Sequence, residues 1–534
     1  MLLLLAYLPY ILALAIFVHL LSNYWRLRQV PGPFLANFTD LYRLWVVWSR
    51  QSHDIYLDLH KKYGDVVRIG PNCVSVIGPG VKDSIYGIGK GFIKSDYYTP
   101  LQNIVNGQRV ASLVAMTDEA EQTRTRRPIA RAYALTTLVE YAPLVDSTIA
   151  VFVSRLDELF ANTGNVCDLA LWLQLFAFDL IGELTFSKRL GFLASGGDVE
   201  GIIASIGKNF DRTSVLGQMP VLDLLWYKNP IYLNVFGKAR GPNSVVGFGM
   251  RRLEERLNSK NSEMGEESIG MEIKDPELRA KDLERQSGVE KPDFLSRFLE
   301  LRASENEKDH ITDSQLLAHL FMNINAGSDT TASILRAIFY HLLKAPASLQ
   351  RLWNELDAAV QQGTLSMPFA TWPETQALPY LCAVVKEGLR IHPALGLPLE
   401  RIVPAEGLHV QEYFLPHGTI VGINPWIQQR HPHLFGADAE EWRPERWMPD
   451  EGDEDGAERV KVMEHELLVF GAGKRGCLGR NIAMLELHKL LPCLLVRYDF
   501  ELTEETKSRG WRLRNSWLVG QEGVDVRIRR RNRD

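Results

Sequence analysis

The chain has 534 residues, 46% hydrophobic and 23% charged, with a formal net charge of −5. Those proportions belong to a globular protein and exclude disorder along the whole chain, and the slight acidity offers nothing to a nucleic-acid partner. The five cysteines (Cys73, Cys167, Cys382, Cys477 and Cys493) are odd in number and lack Cys-x-x-Cys or Cys/His spacing, which argues against a disulfide scaffold or a zinc site and suits a reducing compartment.

The first element runs from Leu2 to Leu21, an uncharged stretch interrupted only by Pro9 and His19. Twenty helical residues rising about 1.5 Å each span about 30 Å, the thickness of one bilayer core. Tyr24, Trp25, Arg26 and Arg28 follow, aromatic and basic as at a membrane interface, and no Lys or Arg precedes them. The positive-inside rule then predicts a retained single-pass anchor over 1–22, with the rest of the chain cytosolic. A cleaved signal peptide would need a basic start and a small-residue cleavage site, and neither is seen. Residues 23–33 read as a basic, proline-bearing joint, because Pro31 and Pro33 fix φ and bar a helix from running on into the body.

Beyond the joint no repeat or flexible linker divides the sequence, so 34–534 reads as a single domain. Ile55–Tyr63 has helical spacing, whereas Val66–Ile69 and Val74–Ile77 are β-like and are set off by Gly64, Gly70 and Pro71. From Leu138 to Leu343 apolar residues recur mostly at helical spacing. Charged stretches at about 258–291 and at Asp450–Asp455 read as solvated loops. The expected architecture is mainly α with a minor β portion weighted toward the N-terminal part.

Several patterns inside this body bear polar side chains worth following. Arg124-Thr125-Arg126-Arg127 forms a basic helical face, which on its own is simply a solvated one. The helix expected over Thr312–Leu343 is about 48 Å long, enough to cross a domain. Its middle reads Ala326-Gly327-Ser328-Asp329-Thr330-Thr331, a Gly and two β-branched residues that are poor helix formers together and mark, at the least, a flexible spot. Glu387 and Arg390 lie three apart on one helical face and can pair. Further on stands Trp442-Arg443-Pro444-Glu445-Arg446-Trp447.

Near the C-terminus comes Phe470-Gly471-Ala472-Gly473-Lys474-Arg475-Gly476-Cys477-Leu478-Gly479. Its glycines allow a tight loop around one sulfur, with backbone N–H groups turned toward it, as a metal-binding thiolate requires. The same run contains Gly471-x-Gly473-x-x-Gly476, a formal dinucleotide-binding fingerprint with an apolar Leu467–Phe470 run before it and a helix-like Asn481–Leu491 after it. Too few residues follow for the rest of such a domain, so this match is discounted.

At every defining position the loop resembles the haem-binding loop of the cytochrome P450 family of haem-thiolate monooxygenases, and the resemblance covers roughly residues 31–530. It implies a cytochrome P450 fold, a haem buried between long helices, and Cys477 as axial metal ligand. Phe470 would screen the sulfur, Arg475 would meet a haem propionate, and Gly479 would belong to the cofactor site. Arg126 resembles a second propionate partner, although the family's usual Trp or His four residues earlier is Gln122 here. Gly327 would let oxygen approach a locally opened helix, Thr330 would hydrogen-bond the dioxygen, and Asp329 would relay protons. Glu387, Arg390 and Arg446 resemble a structural cluster that locks a helix to the cysteine loop.

The resemblance further implies substrate contacts from Tyr97–Leu113, Met322–Ala326 and Ala394–Leu399, with Asn323 and Asn325 as polar anchors in a mainly apolar site. Segments such as Tyr63–Asn72 and His392–Arg401 are similar to membrane-bound fungal members near the pisatin-demethylase-like group. The expected activity is insertion of one oxygen atom from O2 into an apolar small molecule, in secondary metabolism. The alternatives are detoxifying demethylation or hydroxylation of a xenobiotic or plant defence compound, and an isomerase or dehydratase that uses the same thiolate without O2. Electrons would come from NADPH-cytochrome P450 reductase at the endoplasmic reticulum membrane, docking where Lys474, Arg480, Lys489 and the Arg124–Arg131 cluster offer positive charge.

Overall fold

A 32-residue helix forms the axis of the molecule. It runs from Asp313 to Lys344 behind a capping box, in which the Thr312 hydroxyl accepts from the Gln315 amide and the Gln315 side chain accepts from the Thr312 amide. The computed structural model describes residues 2–105, 108–229, 244–259, 293–306, 309–450 and 452–531. Beyond Ser259, the charged stretch expected to be a loop lies outside them. In chain order, the helices that matter here are α1 (Leu2–Arg26), α2 (Leu41–Trp48), α3 (Ser52–Tyr63), α4 (Glu119–Ile129), α5 (Leu169–Phe186), α6 (Ile202–Leu216), α7 (Asp313–Lys344), α8 (Pro379–Ile391) and α9 (Arg480–Arg497).

Helix α5 is apolar nearly all round. By length and hydropathy it could cross a membrane, yet 89% of it is buried inside the protein. It is a core helix, and it packs beside α7. Gly327 makes this approach possible, since a Cβ there would stand 2.9 Å from Ile181 Cδ1 on α5. The expected local opening of the long helix at Gly327 is not found. The α-helix is continuous through this point, and the glycine serves close packing.

The strands that bear on the site are β1 (Val66–Gly70), β2 (Cys73–Val76), β3 (Ile93–Lys94), β4 (Val166–Asp168), β5 (Arg401–Ile402), β6 (Ile420–Gly422), β7 (Tyr498–Leu502), β8 (Arg512–Ser516), β9 (Leu518–Glu522) and β10 (Asp525–Arg530). Two further short hairpins pair Asn103–Val105 with Gln108–Val110 and Leu408–Val410 with Tyr413–Leu415. One sheet has the order β1-β2-β6-β5-β3, with β6 parallel to β2 and the other pairs antiparallel. A second has the order β7-β10-β4, and β8 and β9 form a hairpin. The β content is thus as heavy at the C-terminus as at the N-terminus. The expectation of an N-terminal weighting missed short strands such as Arg512–Ser516, whose polar residues give little alternation to see.

Two cores support the site. A helical one gathers α5, α7, α8 and α9 around residues such as Leu173, Phe176, Leu335 and Leu491, all fully buried. A smaller one lies under the first sheet and includes Leu27 and Val30. Each such side chain contributes about 1.5–3 kcal/mol by leaving water. Burial of Leu27 and Val30 shows that 23–33 is fastened to the body. Helix α1 runs to Arg26, past the expected boundary at 22, before the chain turns. The Arg68 guanidinium donates to the Asn23 and Tyr24 carbonyls, and the Arg68 amide donates to Pro31 O at 2.7 Å.

Candidate functional site

The cysteine loop is closed by its own backbone. The Cys477 amide donates to Phe470 O at 2.7 Å and the Gly476 amide to Gly473 O at 3.1 Å. Gly471 and Gly473 take φ of 66° and 60°, the left-handed region where side chains are strained, and a Cβ on Gly473 would collide with the Tyr86 carbonyl. Leu467–Phe470 is not a strand and the next helix begins only at Arg480, so the dinucleotide-binding geometry is absent. Protein packed around the sulfur raises the Cys477 thiol pKa although the residue opens onto a cavity, while the Gly479 and Arg480 amides and the Arg126 and Arg480 guanidiniums pull it down. The sulfur stands at the N-terminus of α9, where helix amides favour negative charge. A Cβ on Gly479 would meet no protein atom within 4 Å, and the residue lines the cavity that the sulfur faces. The Arg480 guanidinium lies 5.7 Å from the centre of the Phe470 ring. The other four cysteines are free thiols, and only Cys477 is exposed.

That exposure faces a cavity of about 540 Å³. All three segments expected to touch substrate line it, through residues such as Tyr98, Met322 and Leu395. Two further elements do so that no motif had marked: the Ser205–Arg212 face of α6, and Trp517 with Leu518 at the β8–β9 turn. Among the polar anchors, Asn323 is already engaged, accepting from the Tyr133 hydroxyl at 2.6 Å and donating to Thr185. Asn325 donates to Phe321 O one turn back at 2.8 Å.

Four cations line the part of the cavity around the cysteine loop: Lys94, Arg126, Arg401 and Arg475. Arg126 Nη1 donates to Gly476 O at 2.8 Å, and Arg475 Nη2 pairs with Glu119 at 2.6 Å. Lys94 donates to Val114 O at 2.6 Å; burial, then the charges of Arg401 and Arg475, push its pKa well below the usual lysine range. Lys94 and Arg401 were not singled out in the sequence, and only tertiary proximity reveals them. Gln122 is buried at the same wall. A soft sulfur donor, a largely apolar cavity and a cluster of basic side chains fit an iron porphyrin that carries carboxylates.

Across the cavity, Thr330 lines the wall and its hydroxyl donates to Ala326 O at 2.8 Å. Asp329 does not line it. Its carboxylate turns toward α5, where Gln174 Nε2 donates to it at 2.5 Å and Arg336 in turn donates to Gln174 at 2.8 Å. Burial raises the Asp329 pKa, opposed by the Gln174 hydrogen bond and the Arg336 charge.

The cluster of Glu387, Arg390 and Arg446 is fully buried behind the cysteine loop. Arg390 meets Glu387 with two hydrogen bonds of 2.8 Å, Arg446 Nε adds one of 3.1 Å, and Trp447 Nε1 donates at 2.9 Å. Burial alone would raise the Glu387 pKa, but these donors outweigh it and hold the carboxyl below its ordinary value. The connection to the loop runs through Gln429, which no motif had marked. Its amide donates to Leu389 O and Arg390 O, and its oxygen accepts from the Leu468 amide at 3.0 Å. Of the cations expected on the outer face, Lys489 is instead buried, paired with Asp146 at 2.8 Å and donating to Ala370 O. Lys474, Arg480, Arg124, Arg127 and Arg131 are exposed.

The cytochrome P450 family model matches residues 29–514. Cytochrome P450 monooxygenase cicH of Emericella nidulans is 42% identical over 507 residues, 95% of this chain and 94% of the relative. A cytochrome P450 monooxygenase of Aspergillus terreus is 42% identical over 482 residues, 90% of this chain and 92% of the relative. Cytochrome P450 monooxygenase mpaDE of Penicillium brevicompactum is 38% identical, with 98% of this chain aligned to 58% of the relative. The chain belongs to the cytochrome P450 family. It is a haem-thiolate oxidoreductase of the monooxygenase class, acting on a small molecule with O2 and a redox partner.

Proposed function

We propose that this protein inserts one oxygen atom from O2 into an apolar small molecule of fungal secondary metabolism, with Cys477 as the axial ligand of its haem. The observation that carries this reading is the placement of the Cys477 sulfur, at the N-terminus of α9 and facing a largely apolar cavity with Thr330 on its wall. Haem, when bound, supplies the activation of dioxygen. The chain's own residues do the rest. Lys94, Arg126, Arg401 and Arg475 bind the carboxylates of the cofactor, and Phe470 keeps water from the sulfur. Glu387, Arg390 and Arg446 hold the loop still. Thr330 keeps a proton at Oγ1 on the cavity wall. Asp329, its pKa raised by burial, is the proposed proton relay on the α5 side of the helix.

The membrane is the proposed setting. Helix α1 is 25 residues long, and Tyr10, Leu14, Phe17 and Val18 on it are all exposed. Trp45 and Trp48 on α2 extend this surface, as do Val221 and Leu225 just beyond α6. Exposed apolar area of this extent favours a lipid surface over water. A single-pass anchor in the endoplasmic reticulum membrane would leave residues 34–534 as one cytosolic catalytic domain. The basic face of Lys474, Arg480, Arg124, Arg127 and Arg131 suits an acidic partner, and we assign it to NADPH-cytochrome P450 reductase.

The test is reconstitution with that reductase, NADPH and ¹⁸O2 against a fungal metabolite extract. One labelled oxygen should enter a product, and Cys477→Ser should abolish both that label and the thiolate signature of the reduced, carbon-monoxide-bound haem. Turnover with NADPH and no second protein, or a product without label, would overturn the proposal.

A further inference from the structure

We propose that the substrate carries an acidic group, a carboxylate in the first instance, and that Lys208 on α6 receives it while the apolar remainder reaches toward Thr330. The inference rests on the cavity being a monooxygenase site and adds the class of molecule that enters it.

Among the described residues, the cavity wall holds six basic side chains and not one Asp or Glu. Four of the six lie around the cysteine loop, where the haem carboxylates account for them. The other two, Lys208 and Arg212, stand on α6, one turn apart on a face that also presents Ser205 and Asn209. From Ser205 to Arg212 this face runs about 10 Å along the helix. A hydrocarbon substrate would have no use for such a stripe, because cations exposed to an apolar ligand lose hydration without recompense.

The rotation of α6 that turns this face inward is set from behind. Asp211, next in sequence to Arg212, pairs with Arg514 at 2.8 Å and accepts from the Ser516 hydroxyl at 2.5 Å, both on β8. Arg50 donates to the Asp211 carbonyl at 3.1 Å. The one carboxylate of this turn is therefore used to fasten the helix, and it is withheld from the cavity. Arg212 is held to Asn209 at 2.7 Å. Lys208 has no hydrogen-bond or ion-pair partner among the described residues. The residue is exposed and lines the cavity, and a flexible four-carbon stem lets its ammonium follow an anion.

Purified holoprotein should be titrated with naphthoic acid, biphenylcarboxylic acid and dodecanoic acid, each beside its methyl ester, with the haem Soret band as readout. At least one acid should bind about tenfold more tightly than its ester, and that preference should weaken as salt is raised. Lys208→Met should remove the preference and leave ester binding and haem content unchanged. Lys208→Arg should keep it. Equal binding of acid and ester, a preference that survives Lys208→Met, or binding of esters alone would overturn the proposal, as would a panel in which no acid binds. The carbon-monoxide signature of the same wild-type sample reports the haem-thiolate assignment separately, so failure of one reading does not pass for failure of the other.

Discussion

Two walls flank the cysteine loop, one buried behind it and one lining the cavity, and they are built on opposite terms. Behind the sulfur, Glu387 accepts from Arg390, Arg446, Trp447 and the Arg443 amide, and the two guanidiniums pass their remaining donors to the Asp438 carboxylate and to the carbonyls of Gln429, Phe435, Asp438, Ala439 and Glu441. On the substrate side, Thr330 and Asn325 donate only to carbonyls one turn back in their own helix, and Lys208 to nothing among the described residues. The first wall is over-determined, so the Cys477 sulfur has one position. The second is satisfied at little cost to change, so the groups meeting substrate can vary without disturbing the fold.

The largest expected effect follows from breaking the first wall. Glu387→Ala leaves Arg390 as a buried charge without a carboxylate and Arg446 with Asp438 alone, which costs about 3–5 kcal/mol and should leave little haem-loaded protein. The measurement is the yield of holoprotein and its thermal midpoint, and a soluble, fully loaded variant would sink the structural role given to the cluster.

A pH scan asks which interactions give way first. Burial holds the imidazoles of His60, His319 and His488 at a pKa of about 4 and that of His392 at about 3. Below their unfolded value of about 6.5 the unfolded chain binds protons that the native protein refuses, so stability falls as pH drops, by about 1.4 kcal/mol per unit for each group. Glu387 has a lowered pKa, so its contribution holds until pH falls below the ordinary carboxylate range. Thermal midpoints should therefore decline from about pH 6 downward, ahead of the Glu387 cluster. A flat profile to about pH 4.5 would show that these histidines are not held neutral.

Gly327 probes the seam between the walls. Gly327→Ala puts a methyl against Ile181 and should cost about 1–3 kcal/mol by overpacking. Ile181→Val in the same chain should recover part of it, as the melting temperatures of the two single variants and the double variant would reveal. No recovery would mean that the glycine answers to something other than this contact.

The smallest effect on stability belongs to Thr330→Ala, within about 0.5 kcal/mol, because the hydroxyl bonds only its own helix. Its effect should instead be on coupling, with NADPH consumption yielding more peroxide and less product. Wild-type coupling in this variant would reduce Thr330 to a helix residue.

What the sequence determined by itself is local. The glycine spacing around Cys477, the three-residue step from Glu387 to Arg390, and the start of the long helix at Thr312 each depend on neighbours within one turn or loop, and each is found where the pattern placed it. The tertiary structure decided what depends on distant partners. Asp329 faces Gln174, more than 150 positions away, and not the cavity beside Thr330. Lys489 is buried against Asp146, Lys94 joins Arg401 and Arg475, and Gln429 ties α8 to the cysteine loop. Helical periodicity says that a face exists, but which neighbour it meets is set by how α5, α6 and the β8–β9 hairpin pack around α7. Such packing leaves no mark in the spacing of residues along the chain.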